Sequence, residues 1–194
     1  IGAYDKYAFC ALASSETNCK EFLRPYLAEA VASVCGDDVE LCAVCVAKGM
    51  EFLNAPYETI QKVTEELVRS DGERYCFSKS QEEVDTLLWE AQLKYVFPLV
   101  ENYRRYFVKK YYDFIKAALP INNGYGDQVM VPEEAELGNL MYLVERGGIP
   151  VSAEESMELK RYRKARNELA HMNLLSNEEL CVILKAGKHK TASD

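Results

Sequence analysis

The chain has 194 residues, 48% apolar and 28% charged, with 31 acidic against 23 basic side chains and a formal net charge of −8. That length buries the core of one domain or two small ones, and the composition is that of a folded soluble protein. The acidic balance argues against a general nucleic-acid binder, because phosphate contacts need Lys and Arg, and charges break every apolar run well short of a bilayer span, so no membrane partner is expected.

Ile1 to Phe9 carries no leader pattern, and a start at Ile1 rather than Met reads as a fragment or processed product. Glycine and proline are sparse, which favours helices. Apolar spacing predicts a helix over Lys20 to Val34, stopped by Gly36. Asp37 or Asp38 can cap the next, Val39 to Phe52. Pro56 opens a third that runs to about Val68. Asp71-Gly72 then signals a tight turn, with Arg74 to Phe77 pairing back as a short strand. Three helices and a hairpin have the order of a winged-helix module. No basic recognition helix accompanies them, so DNA binding does not follow.

Ser80 to Leu119 is the longest helical stretch, opened by a Ser80/Glu83 capping box and kinked or divided at Pro98. Its second half is rich in aromatics: Tyr103, Tyr106, Phe107, Tyr111, Tyr112 and Phe114. These pack core and interface, or some stack on bases. Asn122 to Gly126 reads as a loop without the ending of a phosphate-binding P-loop. Pro132 to Val144 is a further helix. Ser152 with Glu155 caps a helix expected to run from Glu154 to Leu175. Ser176 with Glu179 caps a short last one over Asn177 to Ala186, before a polar tail, Lys185 to Asp194. The expected boundary lies near residue 78, with a helical module over 1–78 and a helical domain over 79–194.

Seven cysteines, Cys10, Cys19, Cys35, Cys42, Cys45, Cys76 and Cys181, lie mostly among apolar neighbours. They read as reduced and buried in a cytoplasmic protein. The single CxxC of Cys42 and Cys45 has no second pair or nearby His to complete a zinc site. No metal and no cofactor are expected.

Chemistry concentrates in Arg166-Asn167-Glu168-Leu169-Ala170-His171. On a continuous helix Arg163, Asn167 and His171 share a face, while Arg166 points elsewhere with a side chain long enough to curl back. Leu159, Tyr162, Leu169 and Met172 lie on the flank that can reach the core. Such a ridge suits metal-free RNA cleavage. His171 can move the proton of the attacking 2′-hydroxyl or of the leaving 5′-oxygen. Arg166 can hold the non-bridging oxygens, and Asn167 can orient the imidazole or donate to phosphate. One helix supplies one His, so a two-fold pair would bring two His and two Arg to one cleft.

An Arg followed by a polar residue and, at four-residue spacing, a His, on the penultimate helix of a short helical domain, resembles the HEPN superfamily over roughly residues 80–186. That resemblance implies an all-α fold, a HEPN-like helical bundle preceded by the small helical module. It implies homodimers with facing motif helices and, in many members, metal-independent endoribonuclease activity in bacterial defence or toxin-type systems. It assigns Arg166 and His171 as the catalytic pair and Asn167 as their support, with Glu101 or Glu136 as a further acidic residue. Arg163 and Lys164 on the motif helix, and Arg104 and Arg105 on the earlier one, are the candidate RNA-backbone contacts. The alternative is a catalytically inactive helical domain that binds RNA or a protein partner. The fragment-like start adds a third reading, the C-terminal part of a larger ATPase-containing protein.

Overall fold

A computed structural model describes residues 2–122 and 128–191. The structure is all-α: ten α-helices stand among the described residues, with one two-stranded ribbon. Contacts divide the chain into two compact units, Ile1–Tyr95 with Met172–Asp194, and Val96–His171. The expected boundary near residue 78 falls in a loop inside the first unit. The observed division lies instead within a single long helix, just ahead of Pro98.

The first unit opens with α1 (Ala3–Ser14), which the periodicity did not announce. Its outer side keeps Tyr4 and Leu12 in solvent while Cys10 is buried, so no clean apolar stripe exists to be read. A 3-10 turn (Glu21–Leu23) leads into α2 (Arg24–Cys35), whose Pro25 occupies the first turn, where a missing N–H costs nothing. Asp38 caps α3 (Val39–Lys48) by accepting from Leu41 N–H at 3.0 Å. The helix expected to reach Phe52 breaks at Gly49, and a short α4 (Met50–Asn54) follows. Next comes α5 (Pro56–Glu66). The expected hairpin shrinks to one bridge, Val68 to Arg74, around Asp71-Gly72, so the winged-helix order lacks its wing. Arg69 consumes the polar capacity there, pairing with Asp38, Glu40 and Asp71.

Helix α6 (Gln81–Lys110) is continuous across Pro98 rather than divided. Its start is the expected capping box, with Glu83 N–H donating to Ser80 Oγ at 3.3 Å and Ser80 N–H to Glu83 Oε2 at 2.7 Å. The last helix, α10 (Asn177–Thr191), belongs to the first unit and takes in most of the expected tail. Buried Gln92 fixes the chain just before it. The Gln92 amide donates to the Leu175 carbonyl at 3.1 Å and accepts from Leu175 N–H at 2.7 Å.

The second unit holds the rest of α6 and α7 (Tyr112–Ala117). The antiparallel ribbon of β1 (Ile121–Asn122) and β2 (Gln128–Val129) follows, then a 3-10 turn (Pro132–Glu134), α8 (Leu137–Glu145) and α9 (Ala153–Ala170). Of the loop expected over Asn122 to Gly126, all but Asn122 lies outside the described residues. The helix expected over Pro132 to Val144 starts late, because the 3-10 turn takes its first residues. Tyr103 stacks flat on Tyr162, centroids 4.0 Å apart, and joins Phe107, Leu140, Leu159 and Leu169 in the core. Helix α8 closes through Gly147 at φ 73°, with Gly148 N–H reaching the Leu143 carbonyl at 2.8 Å.

Candidate nucleic-acid interface

Helix α9 carries the motif. Ser152 accepts from Glu155 N–H at 3.2 Å, and Glu155 accepts from Ser152 N–H at 3.0 Å, which sets the helix start. Glu155 also receives Tyr111 Oη at 2.8 Å and pairs with Lys110, so α9 is tied to the end of α6 within the second unit. These donors hold the Glu155 carboxyl at about 2, well below its ordinary range, with Lys110 the largest cause.

The helix ends earlier than expected. Ala170 is its last residue, His171 is the C-cap, and Met172 turns the chain at φ 60°. Glycine usually holds that left-handed position; here a methionine occupies it, which is why helical periodicity alone overran the end. Leu159, Tyr162 and Leu169 reach the core as expected. Met172 does not: it is 63% exposed, because it lies past the helix.

An open groove of about 700 Å³ runs along α8 and α9. Arg163, Arg166 and Asn167 line it from α9, facing Glu136, Asn139, Tyr142 and Glu145 of the α8 segment. Arg166 therefore shares this surface with Arg163 and Asn167 rather than pointing away, as its three-residue offset from Arg163 permits. Its Nη1 donates to Asn167 Oδ1 at 3.4 Å. His171 is exposed at the helix end and is not among the residues lining the groove. Lys164 is exposed on α9. Asn139, buried at the start of α8, accepts from Glu136 N–H at 3.0 Å and so fixes the entry of that helix beside the groove.

The structure separates the two acidic candidates. Glu136 lines the groove with the arginines. Glu101 instead receives Nε of Arg104 at 2.9 Å, Nη2 of Arg104 at 2.7 Å and Nε of Arg105 at 2.9 Å. The Arg104 hydrogen bond leads in holding its carboxyl at about 2. Arg104 also donates through Nη1 to the carbonyls of Glu133 and Ala135, at 2.7 and 3.2 Å. Its guanidinium is a brace between α6 and the segment ahead of α8, a role invisible in a one-dimensional charge pattern. Arg105, with Lys109 and Tyr112, lines a second hollow of about 440 Å³. Among the aromatics of this stretch, Tyr103, Phe107 and Tyr111 are core, whereas Tyr106, Tyr112 and Phe114 stay exposed.

Compared with protein-family models, curated proteins and solved structures, the chain finds no match.

Proposed function

We propose that the chain is a metal-independent endoribonuclease module of HEPN-like type, acting as a homodimer through the α9 segment. The observation that carries this reading is the meeting of Arg163, Arg166 and Asn167 in one open groove, with His171 exposed at the end of the same helix. The two guanidinium groups bind the non-bridging oxygens of a phosphodiester and stabilise the charge that develops as the 2′-hydroxyl attacks. Asn167 donates to the same phosphate. His171 transfers the proton, to the 5′-oxygen as it leaves or from the 2′-hydroxyl as it attacks, and a second copy supplies the other imidazole. In this reading Glu136, which lines the groove, is taken as the supporting acidic residue, because Glu101 is engaged by Arg104 and Arg105.

A second reading has its own support. Two carboxylates, Glu136 and Glu145, share the groove with the arginines, and His171 stands outside its lining. Both features suit a domain that holds RNA or a protein partner without cutting it.

The test is cleavage of labelled RNA by the purified chain in EDTA. The nuclease reading expects products ending in 2′,3′-cyclic phosphate. His171→Ala and Arg166→Ala should each lower the rate by about 10²-fold or more. Unchanged cleavage by both variants rejects it. RNA that is bound but not cut, with binding weakened by Arg163→Ala and Arg166→Ala, selects the second reading.

A further inference from the structure

Gly138, Tyr142 and Glu145 follow one another at three- or four-residue spacing along α8, and all three line the groove of about 700 Å³ that Arg163, Arg166 and Asn167 line from α9. That volume is in the range of small-ligand sites. Gly138 is exposed and lies in right-handed helix, so no left-handed turn calls for glycine there. A Cβ at Gly138 would meet nothing within 4 Å beyond its own stretch of helix, so crowding does not call for it either. Glycine is a poor helix residue. What its bare backbone provides is an open strip of groove wall one turn from Tyr142. Tyr142 is 43% exposed, and the Arg146 guanidinium lies over its ring, 4.5 Å from the centroid.

The charges lining the groove are opposite in sign, yet they do not neutralise one another. Among the described residues neither Arg163 nor Glu145 has a hydrogen bond or ion pair, and Arg166 donates to Asn167 at 3.4 Å. A ligand that satisfies both signs carries an anion for the guanidinium groups and adjacent hydrogen-bond donors for a carboxylate. An exposed aromatic ring beside an open strip of backbone suits a flat ring between those two points. Of the RNA bases, guanine alone presents neighbouring donors, N1–H and N2–H, that one carboxylate accepts together. Adenine and cytosine set a ring acceptor beside their amino group. Uracil sets its N–H between two carbonyls. Each of those three brings a lone pair against a carboxylate.

We propose that the groove selects guanosine in single-stranded RNA: guanine lies on Gly138 and stacks on Tyr142, its N1–H and N2–H donate to the Glu145 carboxylate, and the nucleotide's phosphate rests on Arg163 and Arg166. The assignment rests on the reading that this groove takes an RNA backbone through its arginines. The RNA is single-stranded because the edge that Glu145 reads is otherwise paired. Glu145 rather than Glu136 is the base reader, because Glu145 is one turn from Tyr142 and Glu136 is the N-cap at the other end of α8. None of these contacts uses His171, so the preference is expressed in binding as well as in cleavage.

Fluorescence anisotropy measures binding of the full chain to labelled oligouridines with one central nucleotide varied among G, inosine, A, C and U. Fluorine at every 2′ position prevents cutting. The G oligomer should bind about tenfold or more tighter than the A, C and U oligomers, with inosine, which lacks the N2 amino group, in between. Glu145→Gln should bring the G oligomer level with the A oligomer. Tyr142→Ala, and Gly138→Leu, whose side chain fills the open strip, should each carry the G-to-A ratio toward one. Arg166→Ala should weaken every oligomer alike. All four positions are exposed, so the substitutions leave the fold in place. Equal affinities for every oligomer, with binding that Arg166→Ala weakens, overturn the guanosine assignment and leave the RNA reading standing. A guanine preference that survives both Glu145→Gln and Gly138→Leu overturns it too, by locating the reader elsewhere. No binding to any oligomer, together with no cleavage of unmodified RNA, overturns the RNA reading and this assignment with it.

Discussion

Replacing Gln92 by Leu tests the polar device that holds the chain just ahead of α10. Gln92 is 3% exposed. Its Nε2 donates to the Tyr26 hydroxyl at 3.3 Å and to the Leu175 carbonyl at 3.1 Å, and its Oε1 accepts from Leu175 N–H at 2.7 Å. Leucine nearly preserves the volume but leaves the N–H and C=O of a buried peptide without those partners. Each orphaned group costs about 1–3 kcal/mol, so the two together, with the weaker hydroxyl contact, destabilise by about 3–5 kcal/mol. A domain of this size loses about 2–4 °C of melting temperature per kcal/mol, which gives a fall of about 10 °C. Urea unfolding measures the free energy, and hydrogen exchange at the Leu175 amide reports the local cause. Gln92→Glu sharpens the test. A carboxylate can accept from Leu175 N–H but repels the Leu175 carbonyl, whereas a protonated carboxyl can donate to it. Burial raises the folded-state pKa of that carboxyl above its unfolded value of about 4.3, so the variant's stability should fall as pH rises above that value. A loss under about 1 kcal/mol for Gln92→Leu, with Leu175 exchange unchanged, would refute the reasoning.

Arg104→Ala should cost about 1–3 kcal/mol by urea unfolding, since it strips two backbone carbonyls and Glu101 of a half-buried partner, whereas exposed Arg105→Ala should cost under about 0.5 kcal/mol. Equal costs would show that Arg104 is not a brace. Glu101 and Glu155, both held at about 2 in the folded chain, supply stability that is complete above their unfolded pKa of about 4.3. That stability is lost as pH falls toward 2, so urea midpoints should drop between pH 5 and pH 3, and less so in Glu155→Gln. If the groove binds single-stranded RNA through Arg163 and Arg166, the logarithm of affinity should fall against that of salt with a slope of about −1.4, and Arg166→Ala should flatten it by about 0.7. A slope several times steeper would assign binding to other cations.

Local chemistry made much of the fold readable in advance. The Ser80/Glu83 and Ser152/Glu155 boxes stand where the spacing put them, and Ser176 does the same with Glu179, its Oγ accepting from Glu179 N–H at 3.3 Å. Asp38 is the cap of α3, and Leu159, Tyr162 and Leu169 are core. Breaks that depend on tertiary setting were not readable. Gly49 interrupts an unbroken apolar pattern, Pro98 leaves α6 intact, and α1 buries Cys10 without a regular stripe. The end of α9 was misplaced for a comparable reason, because Met172 takes a conformation that a sequence reader reserves for glycine. In the candidate site, the Arg166–Asn167 pair and His171 were visible as residue types. That Arg104 spends its donors on backbone carbonyls and that Glu136 rather than Glu101 enters the groove were not visible. Each depends on which distant segment lies opposite.

The early end of α9 changes what the motif can do. Five helical steps separate Arg166 from His171 by about 7.5 Å along the axis and about 140° around it. A continuing helix would have held the imidazole rigidly on the ridge with Asn167. As a C-cap, His171 instead sits where intrahelical hydrogen bonding stops: its N–H still reaches the Asn167 and Glu168 carbonyls, each at 3.1 Å, while its side chain is exposed. Arg163, Arg166 and Asn167 line the groove, and His171 lies at the end of α9, outside that lining. In the nuclease reading, one copy thus keeps its imidazole outside the groove that its arginines line. In that reading, an in-line displacement places one proton-transferring group by the entering 2′-oxygen and another by the leaving 5′-oxygen, on opposite sides of one phosphorus, with the guanidinium groups on the non-bridging oxygens between them, and a two-fold partner is the simplest arrangement that would supply the second imidazole. The homodimer is therefore a requirement of the nuclease reading, and a chain that cuts RNA as a strict monomer would do so by some other route.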